Sequence, residues 1–436
     1  MMKVMAYRQL PPVGTVAKLL VILFLLAVVA GILMGIFENA GRASPTTAPA
    51  VVVGGAADVA TEQQTSNQSI KISLNGMTEN AGRYVVDVPG AGRATLSIYP
   101  KLQKRVQEFF RSNKVPFGAL VAMEPSTGRV LAYVEYSETD RSHSYYSIAK
   151  PYLAASLFKI VTAEAILSEK KISPEEVYCY HGGRSRLTPG LMRDNPRRDN
   201  RCLTFEQALG HSTNVVFARL AHKNLSSEML VKHTKSFLFG GNIPFELDVA
   251  PSTATVPEDR DEMAKTAAGF GDVKISPLHA AMMAAAVANG GVMMKPFIVD
   301  EVRSSDGNLV YSPQRGPLGS AMSAEVSEML TSMMYTTTTE GTGRKAFRVK
   351  RGKIDFKRTV PIAGKTGSLA EREPYFKEYT WYAGFGPVDN PKIAVAALVI
   401  NYRSWKTKGS YAAREVLEEF FRGQGVYADA RHARRK

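Results

Sequence analysis

The chain has 436 residues, 45% of them hydrophobic, and a formal net charge of +15. From Ile70 to Lys436 it is long enough for a substantial core, although length alone does not set the number of domains. Its seven histidines and two cysteines show no H-E-x-x-H and no paired Cys/His spacing, so no metal site is expected. The positive charge, with the tail Arg431, Arg434, Arg435 and Lys436, reads first as a solvated surface and second as an attraction to anionic polymers or lipid headgroups.

Leu19 to Phe37 is apolar and carries no charge, enough at ~1.5 Å per residue to cross ~30 Å of hydrocarbon. It exceeds the ~7–15 residues typical of a cleaved signal core, so an anchor is expected, and Ala48-Pro49-Ala50 keeps cleavage open. Lys3, Arg8 and Lys18 precede the span and Glu38 and Arg42 follow it. That bias places residues 1–18 in the cytoplasm and everything after Phe37 outside, which disfavours nucleic-acid binding. Gly31 and Gly35 form a G-x-x-x-G within the span, more simply read as ordinary membrane-helix glycine. Residues 38–69, rich in Ser, Pro, Thr, Ala, Gly and Gln, read as a flexible linker.

After the linker, Ala94 to Tyr99 leads into an amphipathic stretch ending at Phe110. Phe117 to Met123 and Arg129 to Tyr136 are β-prone runs joined by Pro125-Ser126-Thr127-Gly128, a hairpin pattern. Pro151 precedes a helix carrying Ser156 and Lys159, with Ile160, Val161, Ile166 and Leu167 on its buried face. Cys179 and Cys202 bracket an irregular segment. They either close a loop worth ~3 kcal/mol as a disulfide or remain buried thiols. Thr204 and Gln207 predict a capping box on a short helix ending near Gly210, followed by a loop, His211 to Asn214, and a helix from Val215. Ser276-Pro277 opens an Ala- and Met-rich core helix that ends at Gly290-Gly291. Trp381 to Phe385 and Ile393 to Ile400 read as strands turning at Asp389-Asn390-Pro391, and a helix over Ala412 to Phe421 closes the chain.

Three short motifs carry chemistry: Ser156-Leu157-Phe158-Lys159, Ser212-Thr213-Asn214 and Lys365-Thr366-Gly367-Ser368. Each alone has a plain structural reading, namely an exposed helix face, a turn or cap, and a strand end with a glycine bend. Together and in this order they resemble the penicillin-binding protein family, the serine transpeptidases that cross-link peptidoglycan, and the related serine β-lactamases. The glycine turn Gly269-Phe270-Gly271, the Ser276-Pro277 helix with its Ala288-Asn289-Gly290-Gly291 ending, and Glu340-Gly341-Thr342-Gly343 extend the resemblance. Ala154-Ala155 departs from the proline and glycine that many members carry before the nucleophile.

The resemblance implies an α/β (α+β) fold, an antiparallel sheet sandwiched by helices with an all-helical lobe, spanning residues 70–436 and preceded by one transmembrane helix. Only a linker and an entry segment lie between the span and this domain, which resembles a minimal monofunctional, class B-like member and implies a separate glycan polymerase as partner. It also implies roles for the motif residues. Ser156 is the expected nucleophile, and Lys159 its proton acceptor once burial or a nearby cation lowers its pKa. Lys365 would supply that cation and, with Thr366, bind the donor's terminal carboxylate. Ser212 would relay a proton to the leaving amine, and Asn214 would bond the substrate amide or orient Lys159. Gly367 would admit the substrate closely, and the backbone N–H groups of Ser156 and Ser368 would form the oxyanion hole. No cofactor is expected, and β-lactams would act as inhibitors at a membrane-bound, extracytoplasmic enzyme.

Competing readings are weaker. A phosphate loop ending at Lys365-Thr366 needs glycine where Thr359 stands, and a nucleophile elbow around Ser212 needs glycine where Asn214 stands. No E-x-x-x-N lies between Asn214 and Lys365, against a class A β-lactamase. A D,D-carboxypeptidase, a class D-like β-lactamase or antibiotic sensor, and an inactive cell-wall scaffold remain as alternatives.

Overall fold

In a computed structural model of the chain the described residues are 70–138, 147–183, 187–348, 356, 359–373, 376–402 and 407–424. The expected cytoplasmic tail, span, linker and basic C-terminal tail lie outside them. Among the described residues no helix is long and apolar enough to cross a membrane.

The main sheet is built from the hairpin β1 (Phe117–Met123) and β2 (Val130–Ser137) and from β3 (Ala363–Glu371), β4 (Lys377–Gly386) and β5 (Ile393–Tyr402). It is antiparallel throughout, in the order β3-β4-β5-β1-β2, so the two ends of the domain meet where Leu398 pairs with Ala119. Every residue of β1 and β4 is buried, which requires cover on both faces. The helices that position the site are α1 (Pro100–Ser112), α2 (Lys159–Lys170), α3 (Phe205–Gly210), α4 (Asn214–Asn224), α5 (Pro277–Ala288), α6 (Ala324–Thr339) and α7 (Gly409–Gly423).

Strand alternation divides the core in two. Leu120, Ala122, Val395 and Val399 meet Leu102, Val106 and Phe110 of α1 and Val416 and Leu417 of α7. Ala119, Val121, Ala396 and Leu398 face the opposite cluster, which continues through α5 into the helical lobe. Alanine fills much of α5 and lets it lie close to β1, β4 and β5. The sheet is thus covered by helices on both sides, as expected.

The local signals at α3 and α5 hold. Thr204 accepts from the Gln207 amide while the Gln207 side chain accepts from the Thr204 amide, and Ser276 caps α5 ahead of Pro277. Two features differ from the sequence reading. The segment carrying Ser156 is a 3-10 turn over Ala155–Phe158, and the α-helix begins only at Lys159. A second antiparallel sheet also forms, from Thr78–Asn80, Arg83–Val88, Gly92–Leu96, Val299–Arg303 and Leu309–Tyr311. Its central pairing, Val302 with Ala94, joins segments far apart in sequence, which no local pattern announces. Cys179 and Cys202 are joined as a disulfide across the hairpin Val177–Tyr180 and Arg201–Thr204, and both are exposed, which sets aside the buried-thiol alternative.

Candidate active site

Ser156 lies on the 3-10 turn directly ahead of α2, one short turn before Lys159. The turn is pinned from two sides: the Trp381 indole of β4 donates to the Leu153 carbonyl (2.9 Å), and the Ala154 amide donates to the Val273 carbonyl (2.8 Å). Ala155 is in the left-handed region, at φ +49°, where glycine is relaxed and alanine is not. The Ala154-Ala155 departure noted in the sequence therefore falls on a residue whose conformation glycine would adopt without strain.

Lys159 is fully buried, and its Nζ meets the Ser156 Oγ at 2.9 Å, the Asn214 Oδ1 at 2.7 Å and the Ala268 carbonyl at 2.7 Å. Burial, and secondarily the charge of Lys365, hold its pKa well below the ordinary lysine value. A neutral amine has two donors and one lone pair. With Asn214 and Ala268 offering only acceptors, the lone pair falls to the Ser156 hydroxyl, the arrangement a serine nucleophile needs.

Asn214 is the first residue of α4, so the loop expected from His211 to Asn214 ends one residue earlier, at Thr213. Ser212 holds a left-handed backbone, φ +57°, fixed by its amide bonding to Leu209 O and that of Thr213 to Ala208 O. Its hydroxyl has no hydrogen-bond partner among the described residues.

The third motif lies on β3, which among the described residues pairs with β4 alone. Its other edge has no strand partner among the described residues. A Cβ at Gly367 would stand 3.2 Å from Ala154 O and 3.4 Å from Leu157 N, so the strand passes over the nucleophile turn at near van der Waals distance. Lys365 is fully buried, its Nζ donating to Thr366 O at 2.8 Å, and burial pushes its pKa down to about 7. It is therefore partly a cation at neutral pH, the role the resemblance implies for it. Ser368 follows on β3, paired with Thr380.

Two contributors carried no role in the sequence reading. Ala268 supplies a carbonyl to Lys159, and its neighbour Gly269, at φ +90°, would place a Cβ 2.7 Å from Ala155 O. The glycine pair Gly269 and Gly271 was the available signal for this approach. Thr342 Oγ1 lies 2.5 Å from Thr366 Oγ1, and its amide donates to Gly210 O at 3.0 Å. It thus ties the end of α3, just before the second motif, to the third motif. Nothing in the spacing of Glu340-Gly341-Thr342-Gly343 predicts that link.

Residues 118–422 match the family model described as the penicillin binding protein transpeptidase domain. Among curated proteins, the peptidoglycan D,D-transpeptidase PbpA of Mycobacterium tuberculosis is 27% identical over 396 residues, covering 80% of this chain and 78% of PbpA. Stage V sporulation protein D of Bacillus subtilis is 26% identical over 317 residues, covering 69% and 48%. Among solved structures, the D,D-transpeptidase domain of a peptidoglycan glycosyltransferase from Eggerthella lenta aligns with a TM-score of 0.63 at 25% identity, covering 78% of this chain and 90% of that one. The ceftriaxone acyl-enzyme complex of penicillin-binding protein A from M. tuberculosis aligns with a TM-score of 0.59 at 23% identity, covering 75% and 79%, and shares the fold.

Proposed function

The chain belongs to the penicillin-binding protein transpeptidase family, in its class B branch, and we propose that it is a peptidoglycan D,D-transpeptidase working through an acyl-enzyme on Ser156. The observation that carries this reading is the buried Lys159 amine at 2.9 Å from the Ser156 hydroxyl, with its other contacts directed to acceptors.

Ser156 Oγ attacks the carbonyl joining the last two residues of a D-Ala-D-Ala-ending stem peptide, and its proton passes to neutral Lys159. The backbone N–H groups of Ser156 and Ser368 stabilise the oxyanion, and Lys365 and Thr366 hold the terminal carboxylate. As the C–N bond breaks, a proton relayed through Ser212 reaches the departing D-alanine amine, leaving a serine ester. An amine of a neighbouring stem peptide then attacks the ester, forms the cross-link and frees Ser156. Asn214 keeps Lys159 aimed at Ser156, and Gly367 lets β3 lie against the donor. A β-lactam acylates the same hydroxyl but leaves no departing group, so the ester persists.

Leu19 to Phe37 anchors the enzyme as a single-pass protein with its N-terminus in the cytoplasm, and residues 38–69 give the domain reach above the membrane. A glycan polymerase supplies the strands it links. The test is covalent labelling by a fluorescent penicillin in wild type and Ser156→Ala, together with product analysis when an amine acceptor competes with water. A long-lived adduct lost in the mutant, with amide product formed, is expected. Rapid adduct turnover would indicate a β-lactamase, exclusive hydrolysis of the peptide a carboxypeptidase, and no labelling of folded wild type a scaffold.

A further inference from the structure

Beside the second motif lies a concave pocket of about 900 Å³ whose lining includes His181, Gly183, Asn195, Arg197, Arg198 and Arg201. We propose that this pocket is a subsite for a free carboxylate carried along the stem peptide, upstream of the bond that Ser156 attacks. The proposal rests on the transpeptidase reading above.

Charge is the first support. The buried Asp199 carboxylate is already engaged: it takes both Arg219 guanidinium nitrogens at 2.9 and 3.0 Å, the His181 Nδ1 at 2.5 Å and the Asn195 amide at 2.7 Å. Asp194, at the far side, stands 3.6 Å from Arg219. Arg197, Arg198 and Arg201 are exposed, and their guanidinium groups make no hydrogen bond or ion pair among the described residues. Three arginines whose guanidinium groups have no partner among the described residues thus line one concavity. Guanidinium matches a planar carboxylate through paired N–H donors.

Rigidity is the second. The Cys179–Cys202 disulfide closes the base of the loop, and Arg219 fastens its interior by donating to Leu191 O (2.8 Å) and Cys179 O (3.0 Å). These contacts hold the backbone on either side of the pocket, so that ordering on binding falls on the exposed arginine side chains. Position is the third. Arg219 belongs to α4, which begins at Asn214, and a Cβ on Gly183 would stand 2.7 Å from the Val215 side chain. The pocket wall therefore touches the residue that follows a motif side chain.

The experiment uses the full chain in detergent and two synthetic D-Ala-D-Ala-ending pentapeptides, one with an internal free carboxylate and its amidated twin. Each competes with fluorescent penicillin for Ser156 in wild type and in the combined variant Arg197→Gln, Arg198→Gln, Arg201→Gln. Wild type should be half-protected by about tenfold less of the carboxylate peptide than of its twin, and the variant should erase that difference while acylating with penicillin at the wild-type rate. Equal protection by both peptides in wild type overturns the subsite, as does a preference that survives in the variant. A variant that instead loses retention on a poly(glycerol phosphate) matrix, with peptide competition unchanged, assigns the arginines to a phosphate polymer and also overturns it. Absence of penicillin labelling in wild type would remove the transpeptidase reading itself, a result separate from these.

Discussion

Lys159 and Lys365 set opposite requirements on pH. Lys159 must be neutral to take the serine proton, and burial with the Lys365 charge has already lowered its pKa, so the base is available below the ordinary lysine range. Lys365 must be protonated to hold a carboxylate, and burial lowers its pKa to about 7. The second-order rate of penicillin acylation should accordingly fall as pH rises through about 7, while Lys365→Arg should carry the alkaline limb above about pH 9. A rate that stays flat across this interval in wild type would refute the assignment. The Ala155 backbone makes an independent prediction. Ala155→Gly removes the left-handed penalty of about 1 kcal/mol, against which the greater freedom of glycine in the unfolded chain acts. The net expectation is a thermal midpoint raised by about 1–2 °C with acylation unchanged, read by calorimetry and penicillin labelling. The three motifs are legible because their chemistry depends on side-chain type. Ala268 is not, since it acts through a carbonyl that every residue possesses.

Among the elements, patterns that depend on near neighbours were legible. The capping box on α3, the Ser276-Pro277 start of α5, the β1–β2 hairpin and the β4 and β5 runs all rest on contacts within a few residues or on strand alternation. The entry to α2 was not, because its 3-10 turn is held from outside by Trp381 and Val273. The link between the second and third motifs is likewise a contact between elements, made by Thr342 from the segment after α6. Thr342→Val should leave the Thr366 hydroxyl without this partner and slow penicillin acylation by about three- to tenfold. Thr342→Ser should restore it, provided its hydroxyl reaches Thr366. If the valine variant acylates at the wild-type rate, the bridge has no part in catalysis.

At the scale of the molecule, the order and residue types of the motifs were enough to identify the family and the general architecture of a sheet between helices. That information is local: a nucleophile, a lysine base, a strand motif and the periodicity of their flanks can be read within windows of a few residues. The second sheet, the pairing of β5 with β1, the burial that lowers both lysines and the arginine pocket beside α4 came only with tertiary structure. Strand partners far apart in sequence are chosen by which apolar faces can be covered together, and a pKa depends on how much water the completed fold removes from around a charge. Both are properties of the folded chain as a whole.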